Sequence, residues 1–258
     1  MTKFVNDNRP TRRSYAVVDL ETLDDLDSYD TYRKLDPRPA PLRWPFKRVC
    51  AAALLTFSVD EERRYESGHL ESWAGHDEAA LLRALFSRFH LMGDCQLVTW
   101  GGISHDLVAM RMSAMEYGLR LPRQFVHGAR EHGQWLHRDL EVEMMAGSGK
   151  HVHLSEVATR LRLPVKFTDK ASMVPTLLAT GKIRRLAAVA EADVLTTALV
   201  LCRQLEIHGE LGRATGAQVR LIQSVLEVRP EARYREYLER VARRLIGEEE
   251  IALAALAA

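Results

Sequence analysis

Hydrophobic positions along this chain follow two periods, one near 2 and one near 3.6, and they come in a definite order. Ser14–Leu20 (SYAVVDL) is a short β-rich apolar run, which predicts a strand covered on both faces. Val49–Val59 predicts a second strand. Arg63–Leu70 predicts a third, antiparallel to the second through the charged turn Asp60–Arg63. Glu78–His90 places Leu81, Leu82, Leu85, Phe86 and Phe89 at helical spacing. Gln96–Trp100 predicts a fourth strand, and Ser104 is placed to cap a helix that runs through Tyr117. Residues 118–137 are poorly patterned. Helices are then predicted at Leu154–Leu163, stopped by Pro164, and at Met173–Ala179, Ile183–Ile207, Ala217–Glu227 and Glu231–Ile246.

Two stretches fall outside these periods. Residues 1–13 read as a polar, flexible N-terminal arm. Residues 22–48 carry acids and then Pro37, Pro39, Pro41 and Pro45, and read as a long connection of the functional or mobile kind. Strands come first, helices alternate with a later strand, and helices dominate the end. That order predicts an α/β domain: a mixed sheet of about five strands flanked by helices, with a helical C-terminal part. The expected organisation is an arm over 1–13, one domain over 14–210, and a C-terminal helical extension over 211–258 packed on it.

Composition narrows the class. The chain has 258 residues, 47% hydrophobic and 28% charged, with a formal net charge of +1. That is enough apolar material for a sizeable core and excludes a disordered chain. No apolar run approaches the roughly 20 residues that a membrane helix needs, and no secretory h-region is visible, so a cytoplasmic protein is expected. Cys50, Cys95 and Cys202 are odd in number and set in apolar surroundings, which reads as reduced core thiols. Arginine outnumbers lysine 29 to 7. Arginine suits phosphate recognition, and a GC-rich genome gives the same bias.

The candidate chemistry lies in carboxylates. Asp19 and Glu21 sit two apart at the end of the first strand and therefore share a face. Two such acids repel, and a divalent cation or solvent must offset that repulsion. Asp106 stands in a first helical turn, where the macrodipole favours an acid in any case. Asp193 is flanked on its helix by Leu186, Val189, Ala190, Thr197, Val200 and Leu201. A carboxylate on that apolar stripe calls for a metal ion or a salt bridge to arginine, and the spacing leaves both open.

The segments Val17-Val18-Asp19-Leu20-Glu21-Thr22, Leu97-Val98-Thr99-Trp100 … Asp106-Leu107 and Ala190-Glu191-Ala192-Asp193-Val194-Leu195 occur in order. Together they resemble the three exonuclease motifs of the DEDD superfamily. The nearest branch is that of predicted 3′–5′ exonucleases similar to the proofreading domain of family B DNA polymerases. Pro45-Phe46-Lys47-Arg48-Val49, His137-Arg138-Asp139-Leu140 and Leu154-Ser155-Glu156-Val157 leading to Leu163-Pro164 add to the match, which covers roughly 15–205. The resemblance implies a ribonuclease H-like fold and a two-metal 3′–5′ exonuclease. It implies that Asp19, Glu21, Asp106 and Asp193 hold two Mg²⁺ or Mn²⁺ ions, and that the substrate is single-stranded DNA or RNA with a free 3′ end. Four carboxylates are hard oxygen ligands suited to those ions. Asp19 is expected to bridge both ions, Glu21 and Asp193 to hold the first, and Asp106 to act mainly through the second ion's hydration shell.

The pattern also breaks. The family has a tyrosine four residues before the last acid, or in a sister branch a histidine five before it, to orient the attacking water. Here those positions are Val189 and Ala188, which cannot do so. Where the family often has Trp-Asn, this chain has Trp100-Gly101, and His105 replaces the usual aromatic before Asp106. Three readings follow: a slow enzyme that relies on metal alone, a substitute base among His105, His137, His151 and His153, or a former nuclease that only binds nucleic acid or a protein partner. His127, His132 and His137 fit no usual zinc spacing, and Gly147-Ser148-Gly149-Lys150 reads as a loop and not a phosphate cradle. Tyr29, Tyr32, Trp44 and Phe46 are candidates for stacking on single-stranded bases. Arg240, Arg243 and Arg244 read as a solvated helix face.

Overall fold

The computed structural model describes residues 12–36, 41–126, 128–131, 134–229 and 234–257. The chain opens with strand β1 (Arg13–Asp24), helix α1 (Leu26–Leu35), a 3₁₀ turn at Trp44–Phe46, and strands β2 (Lys47–Val59) and β3 (Tyr65–Ala74). Helix α2 (Glu78–Met92), strand β4 (Gln96–Thr99) and helix α3 (Asp106–Glu116) follow. A small ribbon of β5 (Arg130–Glu131) and β6 (Gln134–Trp135) precedes strand β7 (His137–Asp139) and helix α4 (Leu140–Met145). The remainder is helical: α5 (Leu154–Arg160), α6 (Val174–Ala179), α7 (Ile183–Ile207), α8 (Ala214–Val228) and α9 (Arg235–Ala257).

Among the described residues, five strands form one mixed sheet in the order β3-β2-β1-β4-β7. β1 pairs antiparallel with β2 and parallel with β4, where Val17 lies opposite Val98. β4 pairs parallel with β7, and β2 pairs antiparallel with β3. The alternation of β1 sorts its side chains. Tyr15 and Val17 join Ala53, Leu55 and Val98 beneath α7 and α8, against Ala190, Val194, Ala198 and Leu221. Ala16, Val18 and Leu20 join Leu54 and Leu97 on the other face, against Leu82, Leu85, Phe86, Phe89 and Met110 of α2 and α3. The result is a helix–sheet–helix sandwich with β1 at its centre. The three cysteines are free and buried, and burial pushes each thiol up to about 12.

Several sequence expectations are corrected. Arg13 belongs to β1 and not to the arm, whose residues 1–11 lie outside the described residues. The connection over 22–48 is partly regular: β1 continues to Asp24, and α1 follows, with the Asp25 carboxylate accepting from the Ser28 N–H at 3.0 Å as its cap. Tyr29, Tyr32 and Phe46, the stacking candidates, pack on one another with ring centroids 5.2–6.3 Å apart and are half-buried, whereas Trp44 is exposed. Helix α3 starts at Asp106, with His105 at the cap position in place of Ser104. Pro37, Pro39, His127, His132 and the start of the helix expected at Glu231 fall outside the described residues. Among the described residues, no helix is long and apolar enough to cross a membrane.

Candidate metal centre and active site

Asp19 and Glu21 continue the Tyr15–Val17 face of β1, so both project toward α7. A bulge follows at once: Glu21 lies opposite Ala51, Thr22 lies opposite Val49, and Cys50 is the extra residue. The Cys50 thiol donates to the Glu21 carbonyl oxygen at 3.3 Å, which fixes the strand where the two acids sit. Asp193 reaches the same spot from α7. Carboxylate oxygens of Asp19, Glu21 and Asp193 lie within 4.8 Å of one another. The two strand acids and the helix acid, 172 positions on from Glu21 in the chain, therefore form one cluster.

Asp106 stands outside that triad but within its field. Burial first, and then the charges of Asp106, Asp193 and Glu21, raise the Asp19 carboxyl well above the usual carboxylate range, while Lys166 pulls it down. Burial and the charge of Asp193 push Glu21 up to about 7. Burial and the charges of Asp139 and Glu21 push Asp106 up to about 7. Carboxylates held this way are poised for a cation that would offset their repulsion, and an all-oxygen donor set suits a hard divalent ion.

Two residues to which the sequence motifs assign no role of their own shape the site. The buried Asp139, at the end of β7, accepts from the backbone N–H groups of Gly101 and Ile103 at 2.9 Å each, and from those of Glu141 and Val142. It therefore clamps the loop that delivers Asp106. Gly101 in that loop has φ +67°, a left-handed conformation that glycine and asparagine tolerate, which accounts for glycine in the Trp-Asn position. The second residue is Lys166, whose Nζ donates to Asp193 Oδ2 at 2.8 Å. The salt bridge that the sequence left open for Asp193 is thus real, with lysine in place of arginine, and it coexists with the acid cluster.

The candidate histidines each have a partner of their own. His105 Nδ1 lies 3.1 Å from the Gly101 carbonyl oxygen, His137 Nε2 lies 2.8 Å from Thr99 Oγ1, and His151 Nδ1 lies 3.0 Å from Glu141 Oε1. His153 caps α5. Val189, one turn before Asp193, is buried in an apolar cluster with Cys50, Ala51 and Leu186. A cavity of about 1110 Å³ on the flank of α7 is lined by Trp73, Phe167, Ala188, Glu191, Arg229 and Tyr234, and none of the four acids lines it.

The raised carboxyls carry a sign for stability. An acid whose folded-state value lies above its unfolded one binds more protons when folded, so its ionisation opposes folding. Metal-free stability is therefore expected to fall as pH rises to about 7, from 3.8 for Asp106 and from 4.5 for Glu21, and to change little from these groups above that. Urea unfolding at pH 5 and pH 7.5 checks this, and a chain more stable at pH 7.5 contradicts it. Saturating Mn²⁺ should flatten the difference, because a bound cation favours the ionised acids.

Comparison with known proteins gives the following. Residues 41–241 match the family model described as predicted 3′–5′ exonuclease related to the exonuclease domain of PolB. The family B DNA polymerase of the hyperthermophilic archaeon Pyrobaculum calidifontis is similar at 15% identity and a TM-score of 0.49, over 76% of this chain and 24% of that one. Exonuclease I in a product-bound structure is similar at 13% identity and a TM-score of 0.47, over 76% of this chain and 43% of that one. Exonuclease I of E. coli in complex with a 5cy-dA13 oligonucleotide shows 12% identity and a TM-score of 0.46, over 76% and 40%. This chain thus spans about a quarter of the polymerase and about two-fifths of exonuclease I. No curated protein matches it at a significant level.

Proposed function

Because the chain belongs to the family of predicted 3′–5′ exonucleases related to the exonuclease domain of PolB, we propose that it is a divalent-metal-dependent phosphodiesterase removing nucleotides from the 3′ end of single-stranded DNA or RNA in the cytoplasm. The observation that carries this reading is the convergence of Asp19, Glu21 and Asp193 within 4.8 Å at the mouth of the sheet, with Asp106 beside them. The donor set fits Mg²⁺ or Mn²⁺, two of which would activate a water and stabilise the departing 3′ oxyanion when bound. Asp19, central among the acids, would bridge the two positions. Glu21 and Asp193 would hold one of them, and Asp106 would serve the other. Asp139 would keep Asp106 in place through the loop it clamps.

The motif positions leave one task unfilled. At the positions where the family carries a proton-handling tyrosine or histidine, Val189 is buried and Ala188 half-buried, and neither side chain can hydrogen-bond to a water. That observation favours a slow enzyme, and it also keeps alive a second reading: a chain that binds nucleic acid or a protein partner on this fold without cutting.

One assay separates these readings. Purified protein with Mn²⁺ is given DNA and RNA oligonucleotides with free or blocked 3′ ends, alongside a circular single strand. Stepwise shortening from free 3′ ends is expected, whereas internal cleavage of the circle contradicts the reading. In the same assay Val189→Tyr is expected to gain at least about tenfold, the low end of a general-base contribution of 10²–10⁴ discounted for imperfect placement. Overpacking next to Cys50 and Ala51 should cost about 1–3 kcal/mol, so its melting temperature is measured beside its activity. A variant that folds, binds Mn²⁺ and still cuts nothing favours the binding-only reading.

A further inference from the structure

The backbone that carries Lys166 to the acid cluster is anchored by its surroundings. Its own backbone is left-handed, with φ +46°. On its C-terminal side the Phe167 ring packs against Tyr234 and Tyr237, with centroids 5.2 and 5.8 Å away. Two residues further on, Asp169 accepts from Arg185 Nε at 2.8 Å, which ties the segment to the first turn of α7. The backbone is thus anchored, and the ammonium arrives at Asp193 Oδ2 on a flexible four-carbon stem. Its side chain is 53% exposed, so it has solvent to move into, whereas Asp193 is only 17% exposed. The charge that it brings acts on Asp19 and Glu21 as well.

We infer that Lys166 is a tethered cation that neutralises the Asp19–Glu21–Asp193 cluster in the metal-free chain and is displaced when a divalent ion binds, so that it sets the metal concentration at which the site fills. This rests on the metal site proposed above. A carboxylate oxygen that accepts from an ammonium at 2.8 Å cannot offer the same lone pair to a metal ion. Two cations at such a separation also repel strongly, even in a partly solvated site. The lysine therefore plays two opposed parts. It supports the fold before metal arrives, and it competes with the metal afterwards.

The test uses the full chain and Mn²⁺ alone as the probe. Calorimetry of wild type, Lys166→Met, Lys166→Arg and Lys170→Met measures affinity, and thermal melts with and without Mn²⁺ measure stability. Lys166→Met is expected to bind Mn²⁺ at least fivefold more tightly, to melt lower without metal, and to regain the wild-type melting temperature with it. Lys166→Arg should stay near wild type. Lys170→Met, which removes the same charge from a neighbouring exposed position, should change neither quantity. Equal or weaker Mn²⁺ binding by Lys166→Met overturns this inference alone, as does an equal gain in Lys170→Met, which would reduce the effect to general charge. A wild type that takes up no Mn²⁺ overturns both this inference and the metal site on which it depends.

Discussion

Asp19→Asn is expected to abolish Mn²⁺ binding at the proposed metal site and to lower the proposed exonuclease turnover by roughly 10³-fold or more, while raising the melting temperature of the metal-free protein. The two effects share one cause. In the metal-free chain three carboxylates crowd together beside the Lys166 ammonium, and Asp19 carries the largest burden, since burial and three neighbouring acids all disfavour its charge. Replacing it by an uncharged amide of the same shape removes that repulsion. A gain of about 1 kcal/mol would raise the midpoint by about 2–4 °C for a chain of this size. The same change deletes the ligand that would bridge both metal positions. Metal stabilisation of a phosphoryl transition state is worth several kcal/mol, and each 1.36 kcal/mol is a factor of ten in rate. Functional sites commonly trade stability for activity in this way. Calorimetry, melts and the oligonucleotide assay on one preparation decide the matter. A variant that loses activity and also melts lower has lost structure, and Asp19 would then be a fold residue. Unchanged Mn²⁺ binding would remove it from the metal site.

What the sequence disclosed about this site follows from what periodicity encodes. The apolar run Ser14–Leu20 is enough to predict a strand, and because a strand's period is 2 wherever the strand lies, Asp19 and Glu21 at its end share one face. The stripe on Ile183–Ile207 places Asp193 toward the core for the same kind of reason. What periodicity does not encode is partnership across space. Lys166 meets Asp193 through a left-handed residue in an irregular segment, and no local pattern announces that. β7 is three residues long and reads His-Arg-Asp, too short and too polar to show an alternation. It is a strand because β4 offers it a hydrogen-bonding edge. α1 buries no residue, so a search for an apolar face passes over it, although Asp25, Asp27, Arg33 and Lys34 mark its ends by capping and charge. Glu191 was within reach. The stripe argument that singled out Asp193 applies equally to it, with Ala187, Ala188, Val194 and Leu195 at i−4, i−3, i+3 and i+4.

Arg229→Met is expected to cost about 3–5 kcal/mol, more than Glu191→Gln, because the two partners differ in their access to water. Glu191 is 3% exposed and Arg229 is 34% exposed by side chain. The carboxylate accepts from Arg229 Nε at 2.8 Å and Nη2 at 2.7 Å, from Ser72 Oγ at 2.6 Å, and from Tyr234 Oη at 3.2 Å. Arg229 Nη2 also donates to Ser72 Oγ at 2.7 Å, which closes a network joining α7, β3 and the ends of α8 and α9. Removing the arginine leaves a buried carboxylate with two hydroxyl donors and no counter-charge. Removing the carboxylate's charge leaves an arginine that can turn to solvent, at a cost of about 1–2 kcal/mol for the lost charge-assisted bonds. The double variant Glu191→Gln with Arg229→Met should recover part of the larger loss, since no buried charge remains unpaired. Glu191 points away from the metal cluster, two residues before Asp193 on the helix. Mn²⁺ affinity measured well below the melting temperature should therefore stay within about twofold of wild type, the scatter expected of sites that do not couple directly. Urea denaturation and calorimetry on the three variants test the order. A Glu191→Gln loss equal to or larger than that of Arg229→Met would mean that the network is governed by hydrogen bonds and packing and not by the unpaired charge. A large drop in Mn²⁺ affinity would mean that this anchor of α7 also holds Asp193 in place.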